Sequence, residues 1–382
     1  MYRKFPINYI DIGIKTKTFK ESTKGYIKEK PEDFIVEEIP FLKKKNENGN
    51  LTYFTLTKKN WTTTQAINKI ARYCHVSWKR FNFAGTKDRF GITKQLVSVK
   101  GVNPEFLETI KIKDITISDI FKSDEPLKLG DLQTNNFIIT VRDYECKNVK
   151  SVIEHFIETA KQGLPNYFGE QRFGLQRPNN HLVGKYILKE DFDNALKQLL
   201  AVTTPMEGEE SGKVRKFLFE HWGSWKEALE IFPKYLTPER VILNHLVLHK
   251  NDYVNALRRL PRNIAKIFVY SYQSYIFNLA VSKMVEKGLI SDFEIELPGY
   301  DSTLKKLGGS IIEEVLKDEG LKLSDFRVSS YPEISCRGTT RRTLVFPDNF
   351  KIVNISGDSY TVSFSLPKAS YATIIMRELI AP

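Results

Sequence analysis

The sequence predicts an α+β fold in which a helix-rich segment interrupts a domain built from both ends of the chain. Three observations predict it. Alternating apolar and polar runs, the mark of half-buried strands, fill the first third. Helical periodicity dominates from about Leu175 to Phe326, and strand signals then return ahead of one last helix. Strands, helices, then strands again is the pattern of an insertion into a sheet that uses both ends of the chain. The bounds read this way are 1–174 with 327–382 for a discontinuous α+β domain and 175–326 for the insertion.

Taken in order, "DFIVEEIP" alternates as a strand. In "KKKNENGNLTYFTLTKKN" an Asn-Gly-Asn turn precedes an alternating run, with Leu51 and Tyr53 on one face and Thr52 and Phe54 on the other. Residues 61–73 read as a helix that Thr62, Thr63 or Thr64 caps, with Ala66, Ile67, Ile70 and Ala71 as its apolar stripe. "TKQLVSVKG" and "NNFIITVRDY" alternate as strands, and "VKSVIEHFIETAKQG" is a helix stopped by Gly163. The central segment carries the helical runs "DFDNALKQLLAV", "KEALEIFPKYL", "YVNALRRLP", "FVYSYQSYIFNLAVSKMVEKG" and "SIIEEVLKDEG". "RRTLVFP" and "FKIVNISGDSYTVSFSLP" return to strand patterning. "SYATIIMRELI" closes the chain as a helix, with Ala372, Ile375 and Met376 at helical spacing. No internal repeat or low-complexity tract occurs, and "LKKKNEN" reads as a solvated loop.

Composition narrows the class. The 382 residues allow one large domain or two ordinary ones, and 41% hydrophobic content supports a sizeable core. Lys and Arg exceed Asp and Glu by 58 to 46, a net charge of +12 that points to a polyanionic partner, because phosphate contacts release counterions. The three cysteines, Cys74, Cys146 and Cys336, form no Cys-x-x-Cys pair, so neither a disulfide framework nor a zinc knuckle is expected. That usage fits a reducing cytoplasm. The start lacks the apolar core of a signal peptide, and no apolar run is long enough to span a membrane.

Several chemistries lack their motifs. The Walker spacing is absent, no G-x-G-x-x-G follows a strand, and no G-x-S-x-G elbow appears. His245 and His249 share a helix face in "NHLVLHK" without a third ligand nearby, which favours a half-buried core pair over a metal site. Asp88 in "NFAGTKDRFGITKQ" stands out. On the residues alone it is either an Asx-turn between glycines or a chemical tool. Lys87, Arg89 and Lys94 around one carboxylate invite a phosphate backbone, and a carboxylate kept ionised there suits nucleophilic attack on a nucleoside. Other stretches add aromatic, amide and charged groups: "IKEKPEDFIVEE", "LKLGDLQTNNFIITVR", "LPNYFGEQRFG" and "SLPKASYATIIMRELI". Asn135 and Phe137 pair an amide with a ring, as base reading and stacking require. In a basic protein this set points to RNA or DNA.

The blocks "KPEDFIVEE", "NFAGTKDRFGITKQ", "LPNYFGEQRFG", "YSYQSYIFN", "RRTLVFP" and "ASYATIIMRELI" resemble, in order and over almost the whole chain, the TruD family of tRNA pseudouridine synthases. The resemblance implies a pseudouridine synthase catalytic domain, with a curved mixed sheet and flanking helices, interrupted by an inserted TRUD domain, with RNA taken between the two lobes. It implies isomerisation of a uridine in tRNA, with position 13 favoured for a bacterial-type chain, by a cytoplasmic monomer without cofactor, metal or membrane. The family's catalytic Asp falls on Asp88 and its nearby Lys on Lys28. Its substrate contacts fall on Phe34, Asn135 with Phe137 beside it, and Tyr371. Thr134 replaces a family Gly before Asn135, and Tyr371 replaces a family Phe. The alternative is a non-catalytic RNA-binding module or tRNA chaperone, which has no need of Asp88. A metal-dependent nuclease has no clustered acidic ligands to support it.

Overall fold

An eight-stranded mixed sheet organises the first of two units into which the chain divides; the computed structural model describes residues 8–381. Its strands are β1 Phe34–Pro40, β2 Leu51–Lys59, β3 Phe81–Phe83, β4 Ile92–Lys100, β5 Ile115–Ser123, β6 Leu132–Arg142, β7 Asp348–Ser356 and β8 Ser359–Pro367. The order is β7-β8-β6-β1-β4-β2-β5, with β3 laid against β4. The C-terminal hairpin completes the sheet because β8 lies antiparallel along β6, from Ser359 opposite Arg142 to Pro367 opposite Thr134.

Two strands share one edge of β4. β1 runs parallel to its first residues, Ile92, Thr93 and Lys94. β3 runs antiparallel to its later ones, pairing Phe83 with Val97, Asn82 with Ser98 and Phe81 with Val99. Between the two, Glu38 near the end of β1 fills the gap by accepting the Leu96 N–H at 3.2 Å. The loop 84–91, which carries Asp88, leaves β3 and enters β4 beside this gap.

Helix α1 (Thr63–Tyr73) starts where a capping box forms between Thr62 and Gln65. Its stripe Ala66, Ile67, Ile70 and Ala71 packs on Phe54, Val97 and Val99. Tyr53, Ala84, Leu96, Leu127 and Leu132 form a separate cluster. Adjacent residues Tyr53 and Phe54 thus join different clusters, so both faces of β2 are covered and consecutive residues are buried there. β5 is not marked as a strand by the sequence, because Asp119 (φ 53°) sits where its register against β2 shifts and alternation breaks. Helix α2 (Val149–Lys161) is followed by Gln162 as its C-cap and then by Gly163 at φ 94°. Helix α3 (Ala372–Ile380) is buried along its whole length, and Glu378 accepts the Phe19 N–H at 3.3 Å while Arg377 donates to it at 2.9 Å.

The second unit comprises 8–18 and Pro165–Leu344. Its axis is the 25-residue helix Arg262–Glu286, in which only Tyr275 escapes burial between Ser271 and Ser282. Helix Asn180–Leu188 packs on it at Gly184, where a Cβ would fall 2.1 Å from the Phe268 carbonyl oxygen. A short antiparallel pair joins Glu294–Leu297 to Thr339–Arg342. The unit reaches beyond 175–326 on both sides. Asn166, Tyr167, Phe168 and Phe173 of "LPNYFGEQRFG" are buried in it, with Asn278 accepting the Phe168 N–H at 2.8 Å and Arg341 donating to Asn166 Oδ1 at 2.7 Å. That motif, grouped by sequence with the base-reading stretches, is core. Helices Asn180–Leu188 and Glu209–Glu220 also escaped sequence reading. Among the described residues, no helix is long and apolar enough to cross a membrane.

Candidate active site

Asp88 sits in a loop held at several points. The Lys87 N–H donates to Thr63 Oγ1 at 2.9 Å, Thr63 donates to Gln95 Oε1 at 2.8 Å, and Gln95 Nε2 donates to the Gly85 carbonyl at 2.9 Å. This chain of bonds ties the loop to the first turn of α1 and to β4. At the loop's far end, Gly91 (φ 141°) passes so close to β1 that a Cβ would fall 2.5 Å from the Phe34 carbonyl oxygen. Turn chemistry therefore explains Gly91, while the Asp88 side chain is engaged elsewhere.

The Asp88 carboxylate lies 3.1 Å from the Lys28 ammonium, with side chains 18% and 8% exposed. Lys28 itself is at φ 59°, and its ammonium rests 3.8 Å above the Phe34 ring. A second lysine holds the main chain: Lys58 Nζ donates to the carbonyls of Asp88 and Trp61, each at 2.7 Å. Burial pushes the Lys58 ammonium down to about 8, against the opposing pull of Asp88.

Lys87 turns the other way. Its buried ammonium lies 2.6 Å from Glu38 Oε2 and 2.6 Å from Asn135 Oδ1. Asn135 and Glu38 are directly opposite each other across β6 and β1, which is why one ammonium reaches both. Two residues along the same face, Phe137 meets Phe34 edge-on at 6.1 Å and stacks on Phe364 at 5.6 Å.

Beside the loop, residues including Asn60, Trp61, Lys69, Arg72 and Arg89 line an open groove of about 530 Å³. Lys69 lies 5.5 Å from the Tyr73 ring centroid.

The profile of the family described as tRNA pseudouridine synthase D (TruD) matches residues 11–296 and 292–379. The chain is 39% identical, over 87% of its length and 86% of the relative's, to a probable tRNA pseudouridine synthase D of Methanopyrus kandleri. It is 35% identical to one of Methanococcus vannielii over 98% of both chains. A crystal structure of the putative tRNA pseudouridine synthase D from Methanosarcina mazei superposes with a TM-score of 0.80, at 31% identity, covering 98% of this chain and 97% of that one. The chain belongs to the TruD family.

The residues that the TruD resemblance singled out fall in two groups. Lys28, Phe34, Asp88, Asn135 and Phe137 come together around the divided edge of β4. Phe34 and Phe137 are 1% and 7% exposed and present little surface; Phe34 forms the floor beneath Lys28, with Phe137 packed edge-on against it. Tyr371 is half-buried at the N-cap of α3, four residues past Pro367, which pairs with Thr134 beside Asn135. Of the cations expected around Asp88, Lys87 serves Glu38 and Asn135 instead, Lys94 pairs with Glu37 at 2.8 Å, and Arg89 lines the groove; Lys28 meets the Asp88 carboxylate and Lys58 its main-chain carbonyl. Asp33 of "KPEDF" belongs to the scaffold, pairing with Arg142 at 2.6 Å. His245 is a core histidine of the second unit, bonded to Asp252 at 2.9 Å and to Arg259 at 3.1 Å. Sequence reading missed Glu38 and Lys58; as charged residues at apolar-facing strand positions, both carried a signal.

Proposed function

We propose that this protein isomerises a uridine of tRNA to pseudouridine with Asp88 as the nucleophile. Membership of the TruD family supplies the reaction. The observation that carries the residue assignment is the Asp88 carboxylate, partly open and 3.1 Å from the Lys28 ammonium, on a loop whose backbone Lys58 fixes. A carboxylate oriented by one ammonium, on a main chain held by a second, is suited to attack on an electrophilic carbon.

The target uridine leaves its stack, since its glycosidic bond is unreachable inside one. Asp88 engages C1′ or C6, or acts as base toward a glycal. The C1′–N1 bond breaks, uracil turns, and C5 bonds to C1′. C5 gives up its proton and N1 gains one, so the product is an isomer. Asn135 and Tyr371 hold the base, and the cations Lys69, Arg72 and Arg89 take RNA phosphates. The second unit is the inserted domain and adds RNA contacts, the enzyme acts as a cytoplasmic monomer, and position 13 is the favoured target. Mapping pseudouridine in total RNA from cells lacking the protein tests the reading. Loss at one tRNA position supports it, and an unchanged map refutes it.

A further inference from the structure

We propose that Lys87 makes this site select uracil over cytosine by fixing which end of the Asn135 amide meets the base. The inference rests on the reading that Asn135 contacts the flipped base.

An ammonium has donors and no acceptor, so the amide of Asn135 must present its oxygen to Lys87. The 2.6 Å contact from Lys87 Nζ to Asn135 Oδ1 is that arrangement. Lys87 is in turn fixed by Glu38, 2.6 Å away and fully buried, and by the Thr63 hydroxyl on its main-chain N–H. Turning the amide over would set its NH2 against the ammonium. With Oδ1 committed, the outward end of Asn135 is its NH2, and no hydrogen bond to a described residue uses Nδ2.

A fixed pair of donors fits the O4 carbonyl of uracil. Cytosine carries an amino group at that place, donor against donor, and a site built on a polar contact rejects the group that cannot make it. Lys87 is thus a positioning residue that sets specificity through Asn135.

The test measures binding in the Asp88→Asn protein, which holds substrate without turnover. Matched tRNA transcripts carry uridine or cytidine at the modified position. The uridine transcript is expected to bind about tenfold more tightly. Asn135→Asp keeps the bond to Lys87 but presents an acceptor outward, so the preference should vanish or reverse while folding is retained. Lys87→Gln, which satisfies either end of the amide, should bring the ratio near one. An Asn135→Asp protein that still prefers uridine overturns the proposal, because the oxygen would then be the reading end. No preference in the parent protein overturns it as well, whereas a ratio that survives Asn135→Ala refutes instead the reading that Asn135 touches the base. A ratio lost in Asn135→Ala but intact in Lys87→Gln leaves that reading standing and removes Lys87.

Discussion

Lys58 donates to the main-chain carbonyl of Asp88 at 2.7 Å, and so a buried lysine fixes the backbone of the residue assigned as nucleophile. The same ammonium holds the Trp61 carbonyl at 2.7 Å, tying the groove wall to the loop. Burial lowers this ammonium from 10.5 to about 8. In that window the folded protein binds fewer protons here than the unfolded chain, so the group's contribution to stability rises with pH. Compared with Lys58→Met, wild type should gain in melting temperature between about pH 8 and about 10.5, while turnover in the variant falls. A melting difference that is flat across that range contradicts the assignment.

Asp33 anchors the turn that leads into β1. Its carboxylate is 1% exposed, bonds Arg142 at 2.6 Å and accepts the Lys30 N–H at 2.8 Å. Asp33→Ala should cost about 3 kcal/mol, because it strands the Arg142 guanidinium and one main-chain donor. Denaturant unfolding measures this, and a loss under about 1 kcal/mol contradicts it.

The groove beside Asp88 is assigned to phosphates. Replacing Lys69, Arg72 and Arg89 together by Ala should weaken tRNA binding and reduce the slope of log affinity against log salt by about 2, close to the loss of three phosphate contacts. An unchanged slope removes the groove from the RNA surface.

Tyr371 is expected to stack on the flipped uracil. Tyr371→Phe should be nearly neutral, because the ring remains. Tyr371→Ala should lose about ten- to a hundredfold in turnover or affinity, the value of one base stack. Its half-buried place at the N-cap of α3 supplies the competing role, packing. A Tyr371→Ala protein that melts several degrees lower and works normally when folded would establish packing instead.

Much of the fold is legible in the sequence because its strands alternate and its helices carry stripes: β1, β2, β4, β6 and α1 all follow from local pattern. β5 is not, because a bulge at Asp119 breaks the alternation. The extent of the second unit is not either. Asn166 and Phe168 precede the helical segment in sequence, yet their partners Arg341 and Asn278 lie more than a hundred residues away. In the site, short motifs point to Asp88 and Asn135. What joins them does not show: which lysine meets which carboxylate depends on how β1 and β3 divide one edge of β4, a property of tertiary pairing. Lys87 is adjacent to Asp88 in sequence and bonds Asn135, while Lys28, sixty residues away, meets Asp88.

The central claim is that Asp88 performs the chemistry, and single-turnover conversion of tRNA uridine by Asp88→Asn tests it most directly. The substitution keeps the volume and removes the charge that Lys28 faces. Removing an essential nucleophile costs on the order of a million-fold in rate, so no pseudouridine should form above background, while tRNA affinity stays near that of wild type. Retention of more than about a hundredth of the wild-type rate would contradict the account.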